Sequence, residues 1–234
     1  AFSEPSDEER DRPEYWRFWR ELPSKGRMAL FLSSWYSMPI LDHVYGHIGL
    51  AEFDERLERI KAFEKTLADD GALILKFWMH LSREAQKDRL RKLEKNPLLH
   101  WRISKRDWQH WELYDQFMAA AERTIMKTST GLAPWKIIEG YDERYRSIAV
   151  ATIIRDAIRF RLDEAGKASI GSNGDASARS KPAATEVGDS PPVTILSRLD
   201  MSKTLAKSDY EADLKRYQAK LNQLQRAARE RKIS

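Results

Sequence analysis

A chain of 234 residues with 41 Lys and Arg against 36 Asp and Glu, a formal net charge of +5, has room for one or two domains. With 41% hydrophobic and 33% charged residues it reads as a soluble globular chain with a sizeable core. Its longest apolar runs fall far short of the roughly 20 residues a membrane-spanning helix needs. The lack of cysteine excludes disulfides, zinc-thiolate sites, iron-sulfur clusters and cysteine nucleophiles, and makes the cytoplasm the default compartment. The first residues show neither an initiating Met nor a basic-then-apolar signal pattern, and read as an interior segment.

The charge is unevenly spread. Residues 1–163 carry 28 Lys and Arg against 27 Asp and Glu, whereas residues 164–234 carry 13 against 9. A nucleic-acid-binding domain concentrates positive charge on its folded body, because phosphate neutralisation supplies much of the affinity. A nearly neutral body argues against that class of partner.

In chain order, residues 28–32 (Met-Ala-Leu-Phe-Leu) are short, apolar and preceded by a Pro/Gly turn, as a buried strand should be. Phe53, Leu57, Ile60, Phe63 and Leu67 recur at helical spacing, and Gly71 suits the left-handed end of that helix. Residues 72–80 predict a second strand. Ser82 then caps a charged helix over 83–94 that stops at Asn96-Pro97. Ser104 with Asp107 opens a long helix through Met126, residues 135–139 give a short strand, and Val150, Ile153, Ile154, Ala157 and Ile158 mark another helix. Strands alternating with helices need crossovers, which predicts a parallel sheet covered on both faces, a three-layered α/β fold.

Residues 165–192 turn to Gly, Ser, Ala, Asn and Pro and predict a disordered linker. Beyond it, Ser208 and Glu211 form a capping-box pattern, and Tyr210, Leu214, Tyr217, Leu221 and Leu224 stripe one helix face. That stripe must pack on the following domain, on the body or on a second copy in a homo-oligomer. Its cations, Lys215, Arg216 and those from Arg226 to Lys232, suit a polyanion but equally a solvated helix face. Trp101, Trp108 and Trp111 are spaced as one helix face, which favours core packing over a base-stacking platform. His43 and His47 are four apart, but Gly46 weakens the helix that would align them on a metal and no third ligand is evident.

Several motifs together carry a resemblance: Trp16-Arg17-Phe18-Trp19 with Leu22-Pro23, Ser34-Trp35-Tyr36, Lys76-Phe77 with Ser82 and Gln86, Asn96-Pro97, Trp101-Arg102, Asp107, Thr128-Ser129-Thr130 and Ala133-Pro134-Trp135. Over about 150 residues the chain resembles the family-2 polyphosphate kinases, and among them the double-domain polyphosphate:AMP phosphotransferases. The resemblance implies a P-loop-kinase-like fold with a helical lid. It also implies magnesium, and phosphoryl transfer from inorganic polyphosphate to AMP to form ADP. Such chemistry rests on positioned cations rather than on an unusual nucleophile, and Lys76, Arg89 and Arg102 are the candidates to bind polyphosphate or nucleotide, with Ser34, Trp35 and Tyr36 supporting the motif.

The departures carry information too. No G-x-x-x-x-G-K-[ST] segment is present. Leu32 and Ser33 stand where the family has an Asp-Arg before Ser-Trp-Tyr, so the metal-associated acid is missing, and Leu93 replaces the second of two lid arginines whose first is Arg89. This pattern is typical of the first half of the double-domain members. The expected organisation is therefore residues 1–164 as the back part of a degenerate first domain without its P-loop, 165–192 as linker, and 193–234 as the lead-in helix of a second domain. Alone, the chain is expected to be inactive. The rival reading is a non-catalytic scaffold that dimerises or holds polyphosphate.

Overall fold

The structure is a computed structural model that describes residues 5–168 and 195–231. Two short helices, α1 (Asp7–Arg10) and α2 (Trp16–Trp19), precede α3 (Ser37–Val44) and the long α4 (Leu50–Asp69). Helix α4 buries Phe53, Leu57, Ile60, Phe63 and Leu67, the predicted stripe, against Phe18, Trp35, Tyr36, Ile40, Val44 and Ile48. Each such apolar side chain contributes about 1.5–3 kcal/mol of burial. Gly71, at φ 96°, turns the chain out of the helix in a conformation only glycine adopts freely.

Strand β1 (Lys76–His80) follows and pairs in parallel with β2 (Trp135–Glu139), in register from Lys76 opposite Trp135 to His80 opposite Glu139. Between them run α5 (Arg83–Glu94), a 3₁₀ turn (His100–Arg102), α6 (Lys105–Glu112) and α7 (Tyr114–Thr128). The side-chain period of two places Lys76, Trp78 and His80 on one face of the sheet together with Trp135, Ile137 and Glu139. Ala121 and Ile125 of α7 are buried against Trp78, Trp135 and Ile137, while Ala120 one residue earlier joins the α4 core. Gly140 caps the pair: its N–H donates to the His80 carbonyl at 2.6 Å, and a Cβ at 140 would lie 2.7 Å from that oxygen.

Last come α8 (Glu143–Ala168) and α9 (Lys207–Glu230). The two helices are parallel. Lys203, ahead of α9, pairs with Glu139 at 2.6 Å, Tyr217 is buried beneath the Arg155 guanidinium, and Arg231 donates to the Leu162 carbonyl at 3.3 Å. Leu196 is buried with Ala121 and Ile125 against Trp78 and Ile137. The α9 stripe therefore packs on the body, one of its three expected partners.

Four expectations need correction. Residues 28–32 form no strand, and Met28, Leu30 and Leu32 are exposed; apolar character does not make a strand without a neighbour to take its backbone hydrogen bonds. The second strand is confined to Lys76–His80, with Ala72 and Ile74 instead packed against the α4 core. The long helix breaks at Leu113 into α6 and α7. The capping box at Ser208 does not form: Ser208 lies inside the first turn of α9, and Ala206 is the N-cap. The expected linker, residues 165–192, lies mostly outside the described residues, but α8 runs through its first four positions.

Candidate functional site

The motif residues converge although they are far apart in sequence. Lys76 is 6% exposed at the start of β1, and its ammonium donates to Glu64 Oε2 at 2.7 Å, Tyr36 Oη at 3.0 Å and the Thr128 carbonyl at 2.7 Å. Three protons meet three acceptors, as a buried ammonium requires. Glu64, 2% exposed, uses Oε1 to accept from Trp35 Nε1 at 3.0 Å and Tyr36 Oη at 2.8 Å. The Thr128 hydroxyl donates to the Thr124 carbonyl and accepts from Trp135 Nε1 at 2.8 Å. The lysine also sits 5.3–5.4 Å from the ring centroids of Trp135 and Tyr36.

This network clamps the Ser34-Trp35-Tyr36 loop, α4, β1, β2 and the end of α7 to one point. Burial pushes the Lys76 ammonium pKa down, opposed by the hydrogen bond and charge of Glu64. Burial, and then the Glu64 charge, push the Tyr36 phenol well above its ordinary range. Lys76, Trp35 and Tyr36 are thus brought together as a buried scaffold. Ser34 lies at its edge, within 3.5 Å of the Tyr36 amide.

Arg89 and Arg102 lie elsewhere, both exposed, on the segment α5–3₁₀ turn–α6. Ser82 caps α5 by accepting from the Ala85 amide at 3.2 Å, and Ser104 and Asp107 form the predicted capping box on α6. Residues 83–106 hold nine Lys and Arg against three Asp and Glu, a local +6 hidden inside the nearly neutral body. Lys87, Arg89, Arg91, Lys92, Lys95, Arg102 and Lys105 have no carboxylate within ion-pairing distance among the described residues. Cations outside this belt are commonly paired. Arg56 is held by Asp42 and Glu52, and Arg123 and Lys127 share Asp54, whose carboxyl the Arg123 hydrogen bond foremost holds well below the usual carboxylate range. At the break, Leu98 is 80% and Trp101 73% exposed. The core-packing expectation therefore fails for Trp101, while Trp108 and Trp111 meet edge-to-face at 6.0 Å.

Glu64 is the site residue that sequence reasoning missed, and its signal is present: it stands four residues after Ile60 and seven after Leu57, on the apolar stripe, where an acid must have a partner. The histidine pair is not aligned. His43 stacks on Phe53 at 4.5 Å, whereas His47 follows Gly46, at φ 76°, beyond the end of α3. Leu32, where the resemblance expects the metal-associated acid, is an exposed apolar side chain that offers magnesium no ligand. Among the described residues no group of three or more His, Asp or Glu is placed to hold a metal ion. No described helix is long and apolar enough to cross a membrane.

Comparison with known proteins matches residues 1–165 to the model for the family polyphosphate kinase 2 (PPK2). A polyphosphate:AMP phosphotransferase of Pseudomonas aeruginosa is 40% identical over 234 residues, covering 100% of this chain and 45% of the relative. An AMP/ADP-polyphosphate phosphotransferase of Meiothermus ruber is 32% identical over 158 residues, covering 68% of this chain and 59% of that one. The crystal structure of polyphosphate kinase 2 from Arthrobacter aurescens TC1 superposes with a TM-score of 0.63 at 32% identity, over 67% of this chain and 56% of that one. The chain thus spans about half the length of these relatives, and its helix-rich α/β fold with a small parallel sheet matches theirs. The chain belongs to the polyphosphate kinase 2 family.

Proposed function

We propose that the chain is part of a polyphosphate:AMP phosphotransferase. In that reaction an AMP phosphate oxygen attacks the terminal phosphorus of polyphosphate, the bond to the bridging oxygen breaks, and ADP leaves with a polyphosphate one unit shorter. The observation that carries the reading is the group of cations Lys87, Arg89, Arg91, Lys92, Lys95, Arg102 and Lys105 on α5, the 3₁₀ turn and α6, which have no carboxylate within ion-pairing distance among the described residues. Unpaired cations held on a rigid capped segment stabilise a polyanion without first giving up a carboxylate partner. Arg89 and Arg102 contact phosphate there. Lys76 acts through position, by fixing the Ser34-Trp35-Tyr36 loop against β1.

The residues present supply binding without the full chemistry, and the 234-residue chain alone does not turn over. Leu32 in the acid's place also favours a second reading, a domain that holds polyphosphate for an active neighbour. In this proposal residues 1–164 are a degenerate first unit and 193–234 lead into a second. Incubating the chain with AMP, polyphosphate and Mg²⁺ is expected to yield no ADP, while polyphosphate is expected to bind at about 0.1 M salt with an affinity that falls as salt rises. ADP formation would contradict the inactivity, and absence of polyphosphate binding would overturn both readings.

A further inference from the structure

We propose that Trp101, with Arg102 beside it, is a stacking platform for the base of a nucleotide. The inference rests on the polyphosphate-nucleotide reading above and adds where the base sits. A Trp that is 73% exposed sacrifices a large apolar burial, and here its orientation is nevertheless fixed. Its Nε1 donates to the Leu98 carbonyl at 2.9 Å, tying down the polar edge of the indole. The loop beneath is braced: Asn96 Oδ1 accepts from the Leu98 amide at 2.9 Å, and His100 Nδ1 lies 2.9 Å from the Pro97 carbonyl oxygen. Arg102 places its guanidinium 5.8 Å from the indole centroid, and no other ring of the described residues packs on the indole. An anchored edge with an uncovered face is what a planar partner needs, because a pre-oriented ring loses little entropy on stacking.

The occupant is chosen by charge. An apolar protein surface docking on Leu98 and Trp101 would desolvate the surrounding cations, the local +6 of residues 83–106, without compensation. A nucleotide offers a flat base to Trp101 and a phosphate to Arg102 in one molecule.

The test titrates AMP and, separately, polyphosphate into the whole chain and its Trp101→Leu and Trp101→Phe variants by calorimetry, with sedimentation as a control. Base-aromatic stacking spans roughly 5- to 140-fold in affinity. Trp101→Leu is expected to weaken AMP about tenfold, Trp101→Phe to restore it to within about threefold, and both to leave polyphosphate binding unchanged. Unaltered AMP affinity in Trp101→Leu overturns the platform, as does equal loss of both ligands or a change in oligomeric state. A parent chain that binds polyphosphate but not AMP overturns the platform alone. One that binds neither overturns the wider reading with it.

Discussion

Lys76 and Arg102 lie in the same nearly neutral body and are used in opposite ways. Lys76 is buried, and every proton it carries is matched to a protein acceptor within 3.0 Å. Arg102 is exposed, and like Arg89, Arg91, Lys92 and Lys95 it has no carboxylate within ion-pairing distance among the described residues, although Arg83 at the start of the segment pairs with Asp115. The difference teaches that a family motif can preserve two kinds of positive charge: one that holds the fold together at the meeting point of five segments, and one left exposed, which the proposed function assigns to an anion. Net charge over residues 1–163 shows neither, because the belt's surplus is offset by acids elsewhere.

That contrast can be broken most forcefully at the network. Lys76→Met leaves Glu64 buried without its counter-ion, and denaturant unfolding should show a loss of about 3–5 kcal/mol. Adding Glu64→Leu should recover much of it, since a buried pair replaced by apolar groups is often near neutral. A Lys76→Met chain of parental stability would end the keystone role. Gly140→Ala comes next, because its Cβ has no room beside the His80 carbonyl. A loss of about 1–3 kcal/mol by the same method is expected from forcing that contact.

A smaller effect sharpens the comparison through pH. Burial foremost pushes the imidazole pKa values of both His80 and His110 down. Their folded forms therefore bind fewer protons than the unfolded chain, whose histidines titrate near pH 6.5. Stability from these groups is complete above about 6.5 and declines as pH falls below it toward the folded values. Unfolding midpoints measured from pH 8 to 5 should fall at the acid end, and His80→Leu should flatten the decline. The smallest stability effect belongs to the belt. Replacing Arg89, Arg91, Lys92 and Lys95 by Gln should move stability by no more than about 0.5 kcal/mol per site, because these exposed cations have no partner to lose.

Legibility in the sequence followed how local the cause was. Helix α4, the Ser82 and Ser104 caps and the strand at Trp135 were readable because periodicity and capping act over a few residues. Residues 28–32 look like a strand, yet strand formation depends on a neighbour that no local pattern reveals. The break at Leu113 likewise has tertiary anchors on either side, Trp111 Nε1 donating to the Arg83 carbonyl and Tyr114 Oη to that of Leu81. Lys76 stands out as a cation within a strand, but its acceptors come from 12 residues earlier and 52 later, so the sequence alone does not separate a phosphate ligand from a structural ion. Arg89 and Arg102 were readable as exposed cations from their place around Asn96-Pro97. The exposure of Trp101 was not legible in the sequence because its spacing to Trp108 imitates one continuous helix, which the break at Ile103 and Ser104 interrupts.

The central claim is that the belt, and not the net charge or the α9 cations, binds polyphosphate. It is tested by the salt dependence of polyphosphate affinity in three chains: the parent, a belt variant with Arg89, Arg91, Lys92 and Lys95 changed to Gln, and an α9 variant with Lys215, Lys220 and Arg226 changed to Gln. The account predicts that the slope of log affinity against log salt shrinks by about 0.7 for each belt cation that contacts the chain, and stays at the parental value in the α9 variant. A parental slope in the belt variant, or a loss confined to the α9 variant, would contradict it.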